Sequence, residues 1–580
     1  MKAKHLLLVA ALLFGGCNSG INLMKDRAYF KSFTYTGNDP CFEESRLQEG
    51  EIFNPVLQGA YSDASVCRKG GDYYMITSTY TFFPGLAVLH SKDLVNWEQV
   101  SYALPTERQC LNTSLKSVQG IFPSTIRYNK HDDYFYITGT FVGGGGHFII
   151  KAKDPAGEWS DPEWIFGIGG VHPSLFIDDD GTAYLLNQGT PDRVPDYPDF
   201  KVIWMQRFNL QTMKTEGERK IILAGGDIPE KKPAWLEAPH LFKIDGYYYL
   251  TASEGGSLGN GFASCVYRSS EVFGPYTRYE NNPILTQRRL TAGREDAVIS
   301  TGHTDFVDTP EGDWYSFFQG VRPYSPNGDY NYGRETFMLP VIFDEGWPYI
   351  IRNGDNISLK LKAPKGGSYV KDSAAFSPHI PHGNFTYKER FLKEELPLQW
   401  FYLRTPVSPD MEKRGRLEEG IVIPLEINNI RSIRHTSFIA MRQMHNVFSS
   451  EVEMHFLPGS VEQFAGLALF GGDSYGYQFG VSLRDDLPTL ILQRSVKQGE
   501  TVAKEELEVK KLDSGFAGRI ILRVERRDDG FVFKYRYSEE AEYELFKDKV
   551  SVEYLSEQKT GEFYGTVIGM YASKEEGSEI

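Results

Sequence analysis

An all-β fold, a five-bladed β-propeller followed by a β-sandwich, is what this sequence predicts, on three observations. Aromatic residues make up 14% of the 580 residues, with 34 Tyr and 38 Phe, and long Ala/Glu/Lys/Leu stretches are scarce, a balance suited to pleated sheet. One turn-and-tyrosine pattern recurs five times at intervals of roughly fifty to sixty-five residues. Beyond about residue 363 that period stops, while short strand-like runs separated by turn signals continue. The length itself is too great for one ordinary core and favours at least two domains.

The N-terminus, "MKAKHLLLVAALLFGGCNSG", has Lys2 and Lys4, an apolar run from Leu6 to Phe14, then two glycines and Cys17. A basic head, a short apolar segment and small residues before the cut read as an export signal, not as a membrane span. Its form is that of a bacterial lipoprotein signal covering residues 1–17. Cys17 would become the acylated first residue and would tie a soluble body to a membrane of the periplasm or outer membrane. Residues 18–50 read as a linker. The remaining cysteines, Cys41, Cys67, Cys110 and Cys265, have no CxxC and no zinc spacing. They argue against a metal–thiolate site and leave any disulfide pairing open.

The propeller is expected over residues 51–365. "GDYY" at Gly71, "DYFY" at Asp133, "GTAY" at Gly181, "GYYY" at Gly246 and "GDWY" at Gly312 each place a turn ahead of a tyrosine: Tyr74, Tyr136, Tyr184, Tyr249 and Tyr315. Apolar residues precede each turn and strand-like residues follow each tyrosine. The local reading is therefore strand, tight turn, strand, with room for two more strands in each unit. A linker over 366–384 leads to a sandwich over 385–580, carried by runs such as "SSEVEMHFLP", "YGYQFGVSL" and "RIILRVERRDDGFVFKYRYS".

Inner strands of a propeller converge on its axis. About eight or nine places before the turns stand Asp63, the segment around Phe122, His172, Glu237 and His303, in five equivalent positions. Asp63 and Glu237, from blades one and four, would face each other across one cavity. Two such carboxylates are what hydrolysis of a glycosidic bond requires: one protonates the leaving oxygen and the other activates water or attacks. The formal charge of −15 disfavours nucleic acid as a partner. It suits a neutral ligand, with the membrane reached through the anchor alone. No oligomeric state follows from the sequence.

The segments "NPVLQGAYSDASVCRKGGDYYM", "PAWLEAPHLFKIDGYYYLTASEGG", "GHTDFVDTPEGDWY" and "GRETFMLPVIFDEGWP" resemble glycoside hydrolase family 43, the inverting β-xylosidases, α-L-arabinofuranosidases and relatives. "LQWFYLRTP", "SFIAMRQMH" and "AGLALFGGDSYGYQFGVSL" resemble the concanavalin-like C-terminal sandwich that many of these enzymes carry. The resemblance implies Asp63 as general base and Glu237 as general acid. It also implies His303 and Arg334 as pocket residues near the substrate or an axial water or ion, with no cofactor required and a structural calcium at the axis as one option.

The sequence departs from that family at two slots. Where blade three usually supplies an aspartate, often as "DPSLF", this chain has His172, and where blade two usually has Trp it has Phe122. A carboxylate beside Glu237 would favour the protonated acid, a protonated imidazole would do the reverse, and a neutral imidazole would offer a hydrogen bond. A carbohydrate-binding protein with weak or lost catalysis is the alternative reading that His172 raises. Phe83 in "YTFFPG" is the ring expected against a sugar face, and "GGGGH" (143–147) is expected to form a mobile rim loop. Asp178, Asp179 and Asp180 belong to a hairpin turn remote from the pocket. "GDSYG" around Ser474 matches a nucleophile pattern but continues as a strand where that chemistry needs a helix.

Overall fold

The computed structural model describes residues 26–575 except 111–113, 258–259, 371–378, 394, 407–418 and 528–529. The export signal and Cys17 lie outside the described residues. Five antiparallel sheets, four of four strands and the fourth of five, are arranged as blades, whose inner strands are Ser65–Lys69, Gly120–Asn129, Val171–Ile177, Glu237–Ile244 and Ile299–Asp308. The five tyrosines of the repeat occupy the second strands. They pair with inner-strand residues in the same register, Tyr74 with Cys67, Tyr136 with Arg127, Tyr184 with Phe176, Tyr249 with Phe242 and Tyr315 with Val307. Side chains of adjacent sheets then fill the space between blades, as with Tyr74 packed edge-on against Phe135.

The ring closes through polar groups on its inner strands. Asp305 of blade five accepts from the Ser65 hydroxyl and the Val66 amide of blade one, at 2.6 and 3.1 Å, and from Arg127 of blade two, at 2.9 Å to each carboxylate oxygen. Outside it, Glu51–Phe53 pairs with Lys360–Lys362. Asn54 exchanges hydrogen bonds with the Met338 backbone.

The second domain is a sandwich of a seven-stranded and an eight-stranded sheet. Its first strand, Arg27–Gly37, lies within the stretch read as a linker, which corrects that boundary. This strand pairs with Thr386–Glu389, Ile421–Pro424 and Phe448–His455. Ala28, Phe30, Phe33 and Tyr35 are all fully buried. The chain thus starts in the sandwich, leaves to build the whole propeller, and returns. Part of the stretch read as the second linker is also packed: the Gly383 amide donates to Gln58, and Ile380 donates to the Trp97 carbonyl.

The two domains share a sheet. Phe82–Phe83, from the loop between the second and third strands of blade one, adds to the sandwich strand Phe401–Leu403, Phe82 opposite Leu403 and Phe83 opposite Tyr402. Phe83 is buried in the core there, so its expected place against a sugar face is corrected. The glycine run is a closed hairpin: a side chain at Gly145 would overlap the Trp164 ring, and His147 bonds Thr140. The aspartates of "DDDG" do occupy a turn, where Asp178 binds Lys243 and Tyr248 of the next blade at 2.7 and 2.6 Å. Ser474 sits in the hairpin between Gln463–Gly472 and Tyr475–Arg484, with no helix after it. Cys41, Cys67, Cys110 and Cys265 are free thiols.

Candidate active site

The inner strands enter from the axial mouth, and in four of the five the ladder there is irregular. Register shifts fall at Pro123/Thr125, Val171/Ser174, Glu237/His240 and Gly302/Asp305. Such bulges turn side chains out of the sheet alternation and toward the cavity. Asp63, His172 and His303 also share a left-handed backbone, with φ of 55°, 56° and 58°. A non-glycine residue held there costs on the order of 1–3 kcal/mol and persists only where its surroundings over-determine it.

These positions bring four of the expected residues into one contact chain. His303 Nε2 lies 3.7 Å from Asp63 Oδ1, the His303 and His172 rings meet edge to face at 5.0 Å, and His172 Nε2 lies 3.5 Å from Glu237 Oε2. Both carboxylates are buried, Asp63 to 4% and Glu237 to 5% exposure. Below them, His240 Nδ1 stands 3.3 Å from Arg127 and 3.6 Å from Asp305, so the axis is filled by a paired charge and an imidazole. Burial drives His240 down to about 3, and Arg127 leads the contacts that hold Asp305 down at about 2 against the upward push of its own burial. The floor carries a neutral imidazole and an ion pair.

Sequence reasoning missed the partners of Asp63. Ser78 Oγ donates to Asp63 Oδ2 at 2.5 Å and the Tyr80 hydroxyl donates to the same oxygen at 3.1 Å; Ser62 is hydrogen-bonded to Tyr80 in turn. Burial alone would raise the Asp63 carboxyl, but His303, Arg334 and the Ser78 hydroxyl outweigh it and hold the group below its ordinary value. Burial also lowers His303 more than neighbouring Asp63 raises it. The imidazole gives up its charge as pH rises, whereas the Arg334 guanidinium stays charged and is the permanent cation beside Asp63.

The sandwich supplies the other missed residue. Phe563, from the segment after the short helix Glu557–Thr560, lies 5.1 Å from the Arg334 guanidinium, 6.3 Å from Tyr80 and 6.4 Å from Phe122. Phe122 and Tyr80 meet edge to face at 4.9 Å. Arg334 is 4% exposed, yet its Nε and Nη2 have no hydrogen-bond partner among the described residues. The loop carrying Phe563 is fixed from both ends: the Glu557 amide donates to the Tyr330 carbonyl, Ser117 Oγ donates to Glu562 at 2.8 Å, and Thr566 donates to the Asn331 carbonyl. No local pattern in "TGEFYGTV" marks Phe563, because its neighbours come from three remote segments.

As for an axial ion, both ring nitrogens of His303 lack a hydrogen-bond partner, and the one carboxylate on the floor is taken by Arg127 and Ser65. Calcium prefers six to eight oxygen ligands. The donors present suit a bound water better than a direct calcium cage, and no cluster of three or more metal-binding side chains occurs among the described residues.

One carboxylate held ionised and a second buried beside an imidazole, at the axis of a five-bladed propeller, suit acid–base hydrolysis of a sugar acetal. They place the protein among the glycosidases that hydrolyse O-glycosyl bonds. Comparison with known proteins agrees. Residues 52–348 match the profile of glycosyl hydrolases family 43, and residues 388–579 match the β-xylosidase C-terminal concanavalin A-like domain. The chain belongs to glycosyl hydrolases family 43. It is 32% identical over 529 residues to a xylosidase/arabinosidase of Butyrivibrio fibrisolvens, covering 90% of this chain and 95% of that one. It is 31% identical to a non-reducing end α-L-arabinofuranosidase of Bacteroides ovatus over 91% of this chain and 92% of the relative. Among solved structures, a GH43_12 protein retrieved from capybara gut metagenome superposes with a TM-score of 0.86 at 33% identity, covering 94% and 99% of the two chains. A xylan β-1,4-xylosidase from Bacillus halodurans does so with 0.78 at 26% identity, covering 91% and 97%.

Proposed function

We propose that this glycosidase removes terminal pentose-type residues, xylose or arabinose, from plant-type oligosaccharides or polysaccharides with inversion. Glu237 donates the proton to the leaving oxygen, and Asp63 activates the water that attacks the anomeric carbon. The observation that carries this reading is the contact chain Asp63–His303–His172–Glu237, which sets an ionised carboxylate and a second buried carboxylate at one axial pocket. The unpartnered Arg334 donors are available to sugar hydroxyls, and the Phe122 and Phe563 rings to the apolar face of the sugar. The relatives named as xylosidases and arabinofuranosidases support a pentose.

His172 takes the place that the family gives to an aspartate, with its Nε2 3.5 Å from Glu237 Oε2. An ion at the axis would be held beside His303 through water. The mature protein is exported and anchored through acylated Cys17, which places the reaction at a bacterial envelope.

A panel of aryl xylosides, arabinofuranosides and galactosides, with product stereochemistry followed by NMR, tests the reading. Inversion on a pentoside is expected, with Glu237→Ala and Asp63→Ala each abolishing turnover. Activity that survives Glu237→Ala would overturn the assignment of the acid. Binding of oligosaccharides without any turnover would make the protein a carbohydrate-binding one. For the anchor, Cys17→Ala should release the protein from the membrane fraction.

A further inference from the structure

The mouth of the pocket is closed unevenly. Sandwich residues reach the mouth-side loops of blade one at Phe82–Phe83, the approach to blade two at Leu115 and Ser117, and blade five at Gly328, Tyr330 and Asn331. Among the described residues, the hydrogen bonds and strand pairings of the sandwich go to these blades, which leaves blades three and four as the open side. Those two blades carry His172 and Glu237. Glu237 is the proposed acid, and an acid must touch the oxygen that leaves. The remainder of the saccharide therefore departs over blades three and four, while the sugar being released sits under Phe563.

Trp235 stands on that open side, two residues before Glu237, within about 7 Å of it along the backbone. Leu236 between them is buried between blades three and four, whereas Trp235 remains 41% exposed. The tryptophan is held there at a cost. Its φ is 57°, a left-handed conformation that a bulky residue rarely adopts, and its amide donates to the Asp199 carbonyl of the blade-three loop. Tyr197 of the same loop ties down Pro233 at 2.8 Å and Gly225 at 3.2 Å. One face of the indole is covered by the Lys201 ammonium at 4.7 Å. Folding gains little from a strained, exposed aromatic ring, so the arrangement needs another reason. Val194, on the loop that carries Asp199, and Phe166, on the connection leading to His172, are 85% and 79% exposed, the most exposed large apolar side chains described.

We propose that Trp235, backed by Lys201 and continued by Val194 and Phe166, is the platform on which the leaving-group side of the saccharide stacks. The inference rests on the proposed role of Glu237 as acid. It assigns specificity for a polymeric or oligomeric leaving group to blades three and four. Aromatic faces bind the C–H face of a sugar ring.

The test compares kcat/KM for xylotriose and an arabinoxylo-oligosaccharide with that for β-D-xylosyl fluoride and α-L-arabinofuranosyl fluoride, whose leaving group has no sugar ring. Trp235→Ala should lower the ratio of oligosaccharide to fluoride by roughly fivefold, mainly through KM, with Trp235→Phe recovering most of it. Val194→Asp, at a site too exposed to affect folding, should lower the same ratio by a smaller factor. Equal losses on both substrates, or no change in the ratio, would overturn the platform. If the wild type hydrolyses neither substrate, the catalytic reading has failed on its own. The platform is then decided by titrating xylotriose and the arabinoxylo-oligosaccharide into the Glu237→Gln protein: weaker binding on adding Trp235→Ala supports it, and equal binding refutes it.

Discussion

Removing the Ser78 hydroxyl probes how Asp63 is kept ionised in a buried pocket. Ser78 donates to Asp63 Oδ2 over 2.5 Å, and Tyr80 donates to the same oxygen over 3.1 Å. A hydrogen bond to a charged acceptor contributes about 1.5–3 kcal/mol net, and about 1.4 kcal/mol corresponds to one pKa unit. Loss of the hydroxyl is then worth about one to two units at Asp63, or about one if Tyr80 tightens onto the freed oxygen. The base must be ionised to work, so its protonation produces the acid limb of kcat/KM, which reports the free enzyme. Asp63 is depressed below its ordinary value, so the wild type should keep activity well into the acid range, and Ser78→Ala should move the acid limb up by about one pH unit. Near neutral pH the two proteins should differ little. The assay is kcat/KM from about pH 3 to about pH 8 on a pentoside of activated leaving group. An acid limb that stays in place or moves to lower pH would refute both the role of Asp63 and the source of its ionisation.

Glu557 and Glu562, pushed up to about 8 mainly by burial, should make the interdomain contact lose stability as pH rises. The unfolded chain releases these protons near its ordinary carboxyl value, whereas the folded one resists, so stability is fully present below about pH 4.5 and falls progressively up to about pH 8. Glu562→Gln should flatten that decline in thermal midpoint between about pH 5 and pH 8, and an unchanged slope would count against it. Phe563→Ala should cost about threefold to tenfold in kcat/KM by removing a ring from the sugar face, read by steady-state kinetics on a pentoside. Asp305→Ala leaves the partly buried Arg127 without its carboxylate and should destabilise the propeller by up to about 3 kcal/mol, visible in denaturant unfolding. His172→Asp should alter the pH profile of the alkaline limb more than KM. A profile identical to the wild type would make that residue irrelevant to the acid.

Much of the fold was legible because the repeat is local. Each turn residue and the tyrosine three places on lie within one hairpin, and all five tyrosines took the same register. The slot before each turn was legible for the same reason, and Asp63, His172, Glu237 and His303 did converge. Phe83 was misread because "YTFFPG" has two phenylalanines whose fate depends on a partner strand more than three hundred residues away: Phe82–Phe83 joins Phe401–Leu403, and Tyr80 reaches the pocket instead. Arg27–Gly37 was read as a linker because its neighbours, Phe448–His455 and Thr386–Glu389, are equally remote.

By itself, then, the order of residues determined the number of blades, the sandwich that follows and the four side chains that line the axis, since period and turn chemistry are properties of short segments. Only the tertiary structure decided that Ser78, Tyr80 and Arg334 keep Asp63 charged, that Phe563 closes one side of the mouth and that Trp235 stands on the open one. Burial, desolvation and the direction of approach to a pocket depend on which distant segments meet, and a linear pattern carries no record of those meetings.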